Sequence, residues 1–407
     1  MNSTTQPDIL ILTMSRWDGQ YSSAIISLAK ELALTHRVFY IDHPFTRKDY
    51  YTKKTSKEIQ TRKEALLQGK DIFRNPKGFP KNFTAVTPKL VLPVNFLPAG
   101  MLYDFFSTWN DKIVFDAIRK TIQEFSIKRF IFLNSFDPFY LRSFPADFKP
   151  ELFIYQTRDD ISQARHSAKH GVYLENEQVK KAKLVLATSK ELTKLKYALN
   201  PNTYHLPNAA DVELFTVARG KNMPVPPELK NKKGKVILYM GNIGWARVDF
   251  PLLKKIADNP ECTLLLVGPT DSDEQVKVGL DKMQNVIFTG AKKISELPAY
   301  VAYSDCTLIP FQCNTLTKSI YPLKINEYLA AGKPVVTTNF SDDIQDFKEV
   351  AYVTNTHEQF LEMIEKSLLE DSPEKQKLRI KVAEQNSWTA RVETFWQLIE
   401  KHSGSQK

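Results

Sequence analysis

Three cysteines in 407 residues, Cys262, Cys306 and Cys313, are too few and too scattered for a disulfide framework. Cys262 and Cys306 sit in apolar, strand-like runs, so reduced core thiols in a cytosolic compartment are expected. The chain also starts without a leader-like stretch. Met1 to Asp8 is polar, and the first apolar run is only Ile9 to Leu12. No window approaches the about 18 uninterrupted apolar residues of a spanning helix, so nothing is expected to cross a membrane. Helix-turn-helix, zinc-finger and RNA-binding signatures are missing, which argues against nucleic acid as a partner. No internal repeat is visible. What remains, at 42% hydrophobic and 25% charged residues, is the composition of an ordinary globular protein. Its length calls for two domains of about 200 residues.

The net charge of +10 is concentrated. From Arg47 to Lys81, eleven lysines and arginines face four carboxylates, a local excess of +7. Tyr50, Tyr51, Phe73, Phe79 and Phe83 are interleaved, and the apolar Leu90 to Phe106 stretch follows. Such a segment suits a solvated basic face, or an anionic lipid surface.

Strand and helix periodicities alternate from end to end, the signature of α/β layers with parallel sheets. Strands are expected at Asp8–Thr13, Arg37–Asp42, Arg129–Asn134, Leu152–Gln156 and Leu184–Thr188. Helices are expected at Ser22–Leu34, Asp111–Phe125, Glu175–Lys183 and Lys190–Tyr197. The pattern then breaks. Gly220 to Lys235 carries three prolines and a run of lysines, a linker composition. It restarts with strands at Lys235–Met240, Thr263–Val267, Val286–Thr289, Cys306–Pro310 and Pro334–Thr338. Helices are expected at Phe250–Ala257, Ile294–Tyr303, from about Pro322 to Gly332, and at Ser387–Lys401. The domains expected are thus 1–218 and 235–386, joined by a 219–234 linker. Two wound units imply a cleft, with ligands at the strand carboxyl ends.

In the second unit the chemistry-bearing residues follow the strands. Met240-Gly-Asn-Ile-Gly-Trp-Ala-Arg247 is a strand-to-helix turn, where Gly241 and Gly244 let backbone amides approach a phosphate. It is neither GxGxxG nor a Walker loop. Arg247 offers a bidentate phosphate contact, and Gly268 ends the next strand. In Ser319-Ile-Tyr-Pro-Leu-Lys-Ile-Asn-Glu327, Lys324 occupies the first helical turn, where a cation opposes the helix dipole. An anion bound there would account for it; the plain alternative is an exposed Lys324–Glu327 pair. Two cations and a carboxylate suit a nucleoside diphosphate. Asp271-Ser-Asp273 opens a helix and is expected to cap it. His166 and His170 lack the glutamate of a zinc-protease helix and are expected on the surface.

Glu327-Tyr-Leu-Ala-Ala-Gly-Lys-Pro-Val335 resembles the Glu-Ala-x-Ala-x-Gly-x-Pro-Val run of the group 1, GT-B, retaining glycosyltransferases. Ala299 to Asp305, Glu177 to Ser189, Pro207 to Phe215 and the Trp388 helix are similar to the same family. The version with Ser15-Arg-Trp-Asp-Gly19 resembles transferases of capsule, teichuronic-acid and exopolysaccharide assembly.

The resemblance implies two Rossmann-like doubly wound domains facing a central cleft, with the 387–401 helix packing back on the first. It implies sugar transfer from a UDP- or GDP-sugar to a lipid-linked or polysaccharide acceptor in bacterial cell-surface glycan synthesis. Retention is implied, with no metal or other cofactor. Gly241, Asn242, Gly244, Gly268, Ser319, Leu323 and Glu327 would bind the donor, Glu327 through ribose. Arg247, Lys324 and Asp160 would serve catalysis. Trp17, Asp18, Gly19, Arg158 and Asp159 would line the acceptor side. Two departures stand out: Ser319 replaces a family glutamate, and Asn242 replaces one of two phosphate-binding cations, a loss that Lys324 would compensate. The rival expectation is an inactive GT-B-like protein that binds nucleotide sugar or membrane, the latter through Arg47–Lys81.

Overall fold

The computed structural model describes residues 6–19, 23–163, 167–220, 222–230, 232 and 234–403. The chain divides into two compact units. The first holds Met1–Thr188, Leu192–Leu206 and Val392–Lys407, and the second Ser189–Glu191 and Pro207–Arg391. The passage into the second unit thus falls at Pro207, earlier than the composition suggested. The reason is Phe215, on the short Val212–Thr216 helix, which is buried in the second core. Arg219 adds a hydrogen bond to the Ala330 carbonyl at 2.8 Å.

The first unit contains β1 (Asp8–Thr13), β2 (Val38–Ile41), β3 (Phe73–Arg74), β4 (Phe83–Val86), β5 (Phe130–Ser135), β6 (Leu152–Thr157), β7 (Leu184–Ala187) and β8 (Thr203–His205). They form one sheet in the order β3-β4-β2-β1-β5-β6-β7-β8. All neighbours are parallel except the β3–β4 edge pair. Runs such as Ile9-Leu-Ile-Leu12 are fully buried, as strands covered by helices on both faces must be.

The second unit contains β9 (Lys235–Met240), β10 (Cys262–Val267), β11 (Val286–Phe288), β12 (Cys306–Ile309), β13 (Val335–Thr338) and β14 (Tyr352–Thr354). Their order is β11-β10-β9-β12-β13-β14, parallel throughout. Strand order therefore reverses between β9 and β12. Loops leaving those two strands diverge to opposite sides of the sheet, opening the crevice in which such folds bind ligands.

Three local departures have physical causes. The helix expected from Asp111 runs from Met101 to Glu124. Its first turns are apolar on both sides, which erases the helical period. Within the basic segment, Arg47–Thr52, Lys57–Thr61 and Lys63–Gln68 are short helices, the first two capped by Thr46 and Ser56. They sit on a small cluster of Phe45, Tyr50, Ile59 and Leu66. Arg62 is wholly buried there and leaves the surface charge one cation poorer. His170, expected on the surface, is buried, with its ring stacked 4.0 Å from that of Tyr103; His166 lies outside the described residues. At the other terminus, the Trp388–Ser403 helix stacks Trp396 on His36 of the first unit at 4.3 Å. Among the described residues, no helix is long and apolar enough to cross a membrane.

Candidate donor site

The switch point of the second sheet is built from glycine backbone. Gly241 follows β9 with φ +147°, and Gly268 follows β10 with φ +145°, conformations that side chains rarely adopt. A Cβ on Gly268 would fall 1.8 Å from the Gly241 carbonyl oxygen, so the two loops touch backbone to backbone. Gly241 N–H donates to the Val267 carbonyl at 2.8 Å, and Ile243 N–H to that of Pro269 at 2.8 Å. The loop then closes on β12: Asp249 N–H donates to Pro310, and Gln312 N–H to Arg247.

Lys324 lies across this floor. Its Cε stands 2.0 Å from where a Gly241 Cβ would be, so the lysine stem occupies the space that glycine leaves. The lysine is carried by the Leu323–Ala330 helix, which has Pro322 at its N-cap and no capping side chain. The inner face of that helix (Ile325, Asn326, Tyr328, Leu329) is buried. Tyr328 hydroxyl accepts from the Met240 N–H at 2.9 Å, locking the helix to the end of β9. Lys324 and Glu327, one turn apart, are half-buried. Among the described residues neither side chain has a hydrogen bond or ion pair. Arg247 is exposed and equally unpaired.

The electrostatics follow. Burial pushes the Glu327 carboxyl up to about 7, with Lys324 opposing and Asp211 adding to the rise. Burial pulls the Lys324 ammonium down, helped by the charge of Arg247 and opposed by Glu327. A desolvated cation that makes no ion pair, at an uncapped helix start, is a receptor for negative charge. Asn242 is exposed, and its carbonyl accepts from Tyr239 hydroxyl at 2.9 Å. Gly244 packs on the Asp271 carboxylate. Ser319 is buried at the C-cap of the Thr315–Lys318 helix, three residues before Pro322. Asp273 stands at the N-cap of the Glu274–Lys277 helix, but its side chain makes no cap bond, contrary to expectation. Among the described residues, no three His, Cys, Asp or Glu side chains gather as metal ligands.

The acceptor-side residues lie in the first unit, where most already have partners. Asp18 receives two bonds from the Arg62 guanidinium at 2.6 and 2.7 Å. Arg62 also donates to buried Asp42 at 3.0 Å and stacks 4.9 Å from the Trp17 ring. Trp17 N–H donates to Asp42, and Gly19 N–H to the Arg16 carbonyl. Arg158 donates to Ser23 and Ser15 hydroxyls at 3.0 and 3.4 Å. Asp160 accepts from Ser162 N–H and hydroxyl, capping a short 3-10 turn, while Asp159 is exposed. One pair was not foreseen: His43, after β2, bonds through Nδ1 to buried Asp137, after β5, at 2.7 Å. Phe136, beside Asp137, holds φ +62°. No local sequence signal joins residues so far apart.

A parallel sheet with a glycine-floored, cation-bearing switch point defines the second unit as a doubly wound α/β fold. Residues 234–371 match the family model described as glycosyl transferases group 1, so the second unit is similar to the domains of that family. The chain is 31% identical over 224 residues to a Bacillus subtilis protein named provisionally as the teichuronic acid biosynthesis glycosyltransferase TuaH. The match spans 54% of this chain and about half, 55%, of that protein.

Solved structures match almost throughout. Escherichia coli trehalose-6-phosphate bound with UDP-2-fluoro glucose aligns with a TM-score of 0.67 at 11% identity, over 98% of this chain and 99% of that one. Sucrose-phosphate synthase from Thermosynechococcus elongatus gives 0.63 at 15%, over 97% and 98%. Anabaena HepE in complex with UDP and glucose gives 0.59 at 15%, over 97% and 100%. The fold is GT-B, as the sequence indicated.

Proposed function

We propose that this chain transfers a sugar from a nucleoside-diphosphate sugar, of the UDP or GDP type, to a lipid-linked or polysaccharide acceptor in bacterial cell-surface glycan synthesis. The observation that carries the reading is the unpartnered Lys324–Glu327 pair over the Gly241–Gly268 floor. Breaking the bond from the anomeric carbon to the diphosphate leaves about two negative charges. Lys324, Arg247 and the open backbone amide of Lys324 are preorganised to receive them, the kind of stabilisation that dominates such reactions. Glu327 offers acceptor oxygens to ribose hydroxyls. Positive charge from Lys324 and Arg247 makes a metal unnecessary in this reading. Retention, meaning that the new bond forms on the face the diphosphate leaves, follows from the family resemblance. The relative TuaH supports the cell-surface assignment, and the HepE complex with UDP and glucose supports a UDP-sugar donor.

The test is mass-spectrometric detection of nucleoside diphosphate released from a panel of UDP- and GDP-sugars. Release with at least one donor is expected, and Glu327→Ala should weaken binding of that nucleotide about tenfold or more. Binding without release from any donor would overturn catalysis and leave the inactive binding protein that Ser319 and Asn242 also fit. Unchanged affinity in the variant would overturn the site.

A further inference from the structure

The first turns of the Met101–Glu124 helix carry an apolar surface that no part of the first unit covers. Phe96 is 72% exposed, Met101 89%, Leu102 64%, Phe105 64% and Trp109 55%. Large apolar side chains scattered singly over a surface are ordinary; five within fourteen residues, at one end of one helix, form a patch. The patch is held rigid from behind. Tyr103, on the buried face, stacks on His170, whose Nε2 meets the Leu97 carbonyl at 2.9 Å. Lys169 holds the Phe96 carbonyl at 2.7 Å, and the Asn110 amide grips both backbone groups of Leu92 at 2.8 and 2.9 Å.

The same 90–92 segment ties the patch to positive charge. Arg47 N–H donates to the Val91 carbonyl at 2.9 Å, and Leu90 N–H to that of Leu66 at 3.2 Å. The three basic helices are therefore joined through this segment to the apolar helix, which meets it at Asn110. Lys48, Lys57 and Lys63 are exposed on them and Lys53 and Lys54 between the first two, with Tyr51 exposed among these lysines. On the patch itself, Asp104 pairs with Arg142 at 2.6 Å, and Lys112 is exposed beside it. A second copy of this chain would bring like charge against like charge. Nucleic acid would leave the aliphatic and aromatic side chains without a partner. Both halves are satisfied where anionic headgroups lie above hydrocarbon.

We infer that Phe96, Met101, Leu102, Phe105 and Trp109 form a wedge that enters an anionic lipid bilayer while the adjacent lysines hold its headgroups. This differs from a purely electrostatic surface: apolar insertion provides most of the affinity, and the charges select the lipid. No donor or transfer activity enters the argument, so its failure leaves the donor-site reading untouched.

The experiment uses the full chain with phosphatidylcholine vesicles, with and without about 30% phosphatidylglycerol. Sedimentation should show binding to the anionic vesicles that weakens with salt. Phe105→Ser with Trp109→Ser should lower the partition coefficient about tenfold or more, with thermal stability unchanged because both positions are exposed. Lys53→Glu with Lys54→Glu should weaken binding and flatten its salt dependence. Acyl-chain-brominated lipid should quench the wild type more than Trp109→Tyr. Undiminished binding of the serine variant, or absence of binding to any vesicle, would overturn the inference. So would a lipid-free dimer that the serine variant dissolves.

Discussion

Glu327 gives a stability test of a functional claim. In an unfolded chain its carboxyl titrates near 4.5, whereas in the folded protein it does so near 7. The folded state thus retains a proton that the unfolded state gives up between those values. Below pH 4.5 the stabilisation from that proton is fully present; it is lost as pH rises through about 7. The shift sets a ceiling of about 3 kcal/mol at 1.36 kcal/mol per pH unit. Because the side chain is half-buried and water screens part of the effect, about 1–2 kcal/mol is the working figure. Glu327→Gln keeps the shape and removes the charge. It should leave the thermal midpoint of the second unit about 2–8 °C higher relative to wild type at pH 8 than at pH 5. Scanning calorimetry at the two pH values reads the difference directly. An offset that does not change with pH would refute the idea that an ionised, desolvated carboxylate stands at this position. If nucleotide hydroxyls donate to Glu327, UDP or GDP binding near pH 7 should also release protons. Titration in buffers of different ionisation enthalpy would show it.

Lys324→Ala removes a desolvated cation and its charge-assisted bonds, so UDP or GDP affinity should fall about tenfold to a hundredfold in calorimetric titration, with little loss of thermal stability. Gly268→Ala forces a Cβ into the Gly241 carbonyl at φ +145°, a cost of about 3 kcal/mol or more, read as a thermal midpoint lower by about 6 °C or more. Arg62→Ala would leave Asp42 buried without its cation and should destabilise the first unit by about 3–5 kcal/mol in urea unfolding, while nucleotide binding in the second unit persists.

The periodicity of the sequence was enough to locate the central strands because a parallel sheet buried on both faces demands continuous apolar runs; Asp8–Thr13 and Lys235–Met240 stand where the pattern put them, while the short β3, β4, β8 and β14 were not read. It failed where burial has no period. The Met101–Glu124 helix is apolar on its exposed side as well, so only its last fourteen residues showed a helical stripe. The Pro373–Gln385 helix, polar nearly all round, gave no stripe at all. At the candidate site, the closeness of Gly241, Lys324 and Glu327 was legible because a glycine turn and a cation in the wrong helical turn are local anomalies. The Arg62–Asp18–Asp42 network was not, since its partners lie 44 and 20 residues apart and ion pairs leave no period. Counting Arg62 as surface charge was the consequence.

The two sheets share a winding scheme yet treat charge at their switch points in opposite ways, and the contrast bears on function. In the first unit Asp18 and Asp42 close on Arg62, His43 closes on Asp137, and Asp160 closes on Ser162. Arg62, Asp42 and Asp137 find their counterparts within the fold, as stability requires, whereas Arg158 meets only the Ser15 and Ser23 hydroxyls. In the second unit Lys324 and Glu327 are desolvated and left without partners, a cost that a ligand-free structural role would not explain. Both titrations shift in the direction that disfavours the charged form, the ammonium downward and the carboxyl upward. A diphosphate beside Lys324 would reverse the first shift, and hydroxyl donors on Glu327 the second. The same two residues that weaken the free domain at neutral pH are therefore the ones that a nucleoside diphosphate would stabilise, which ties the affinity of the site to the stability it forgoes when empty.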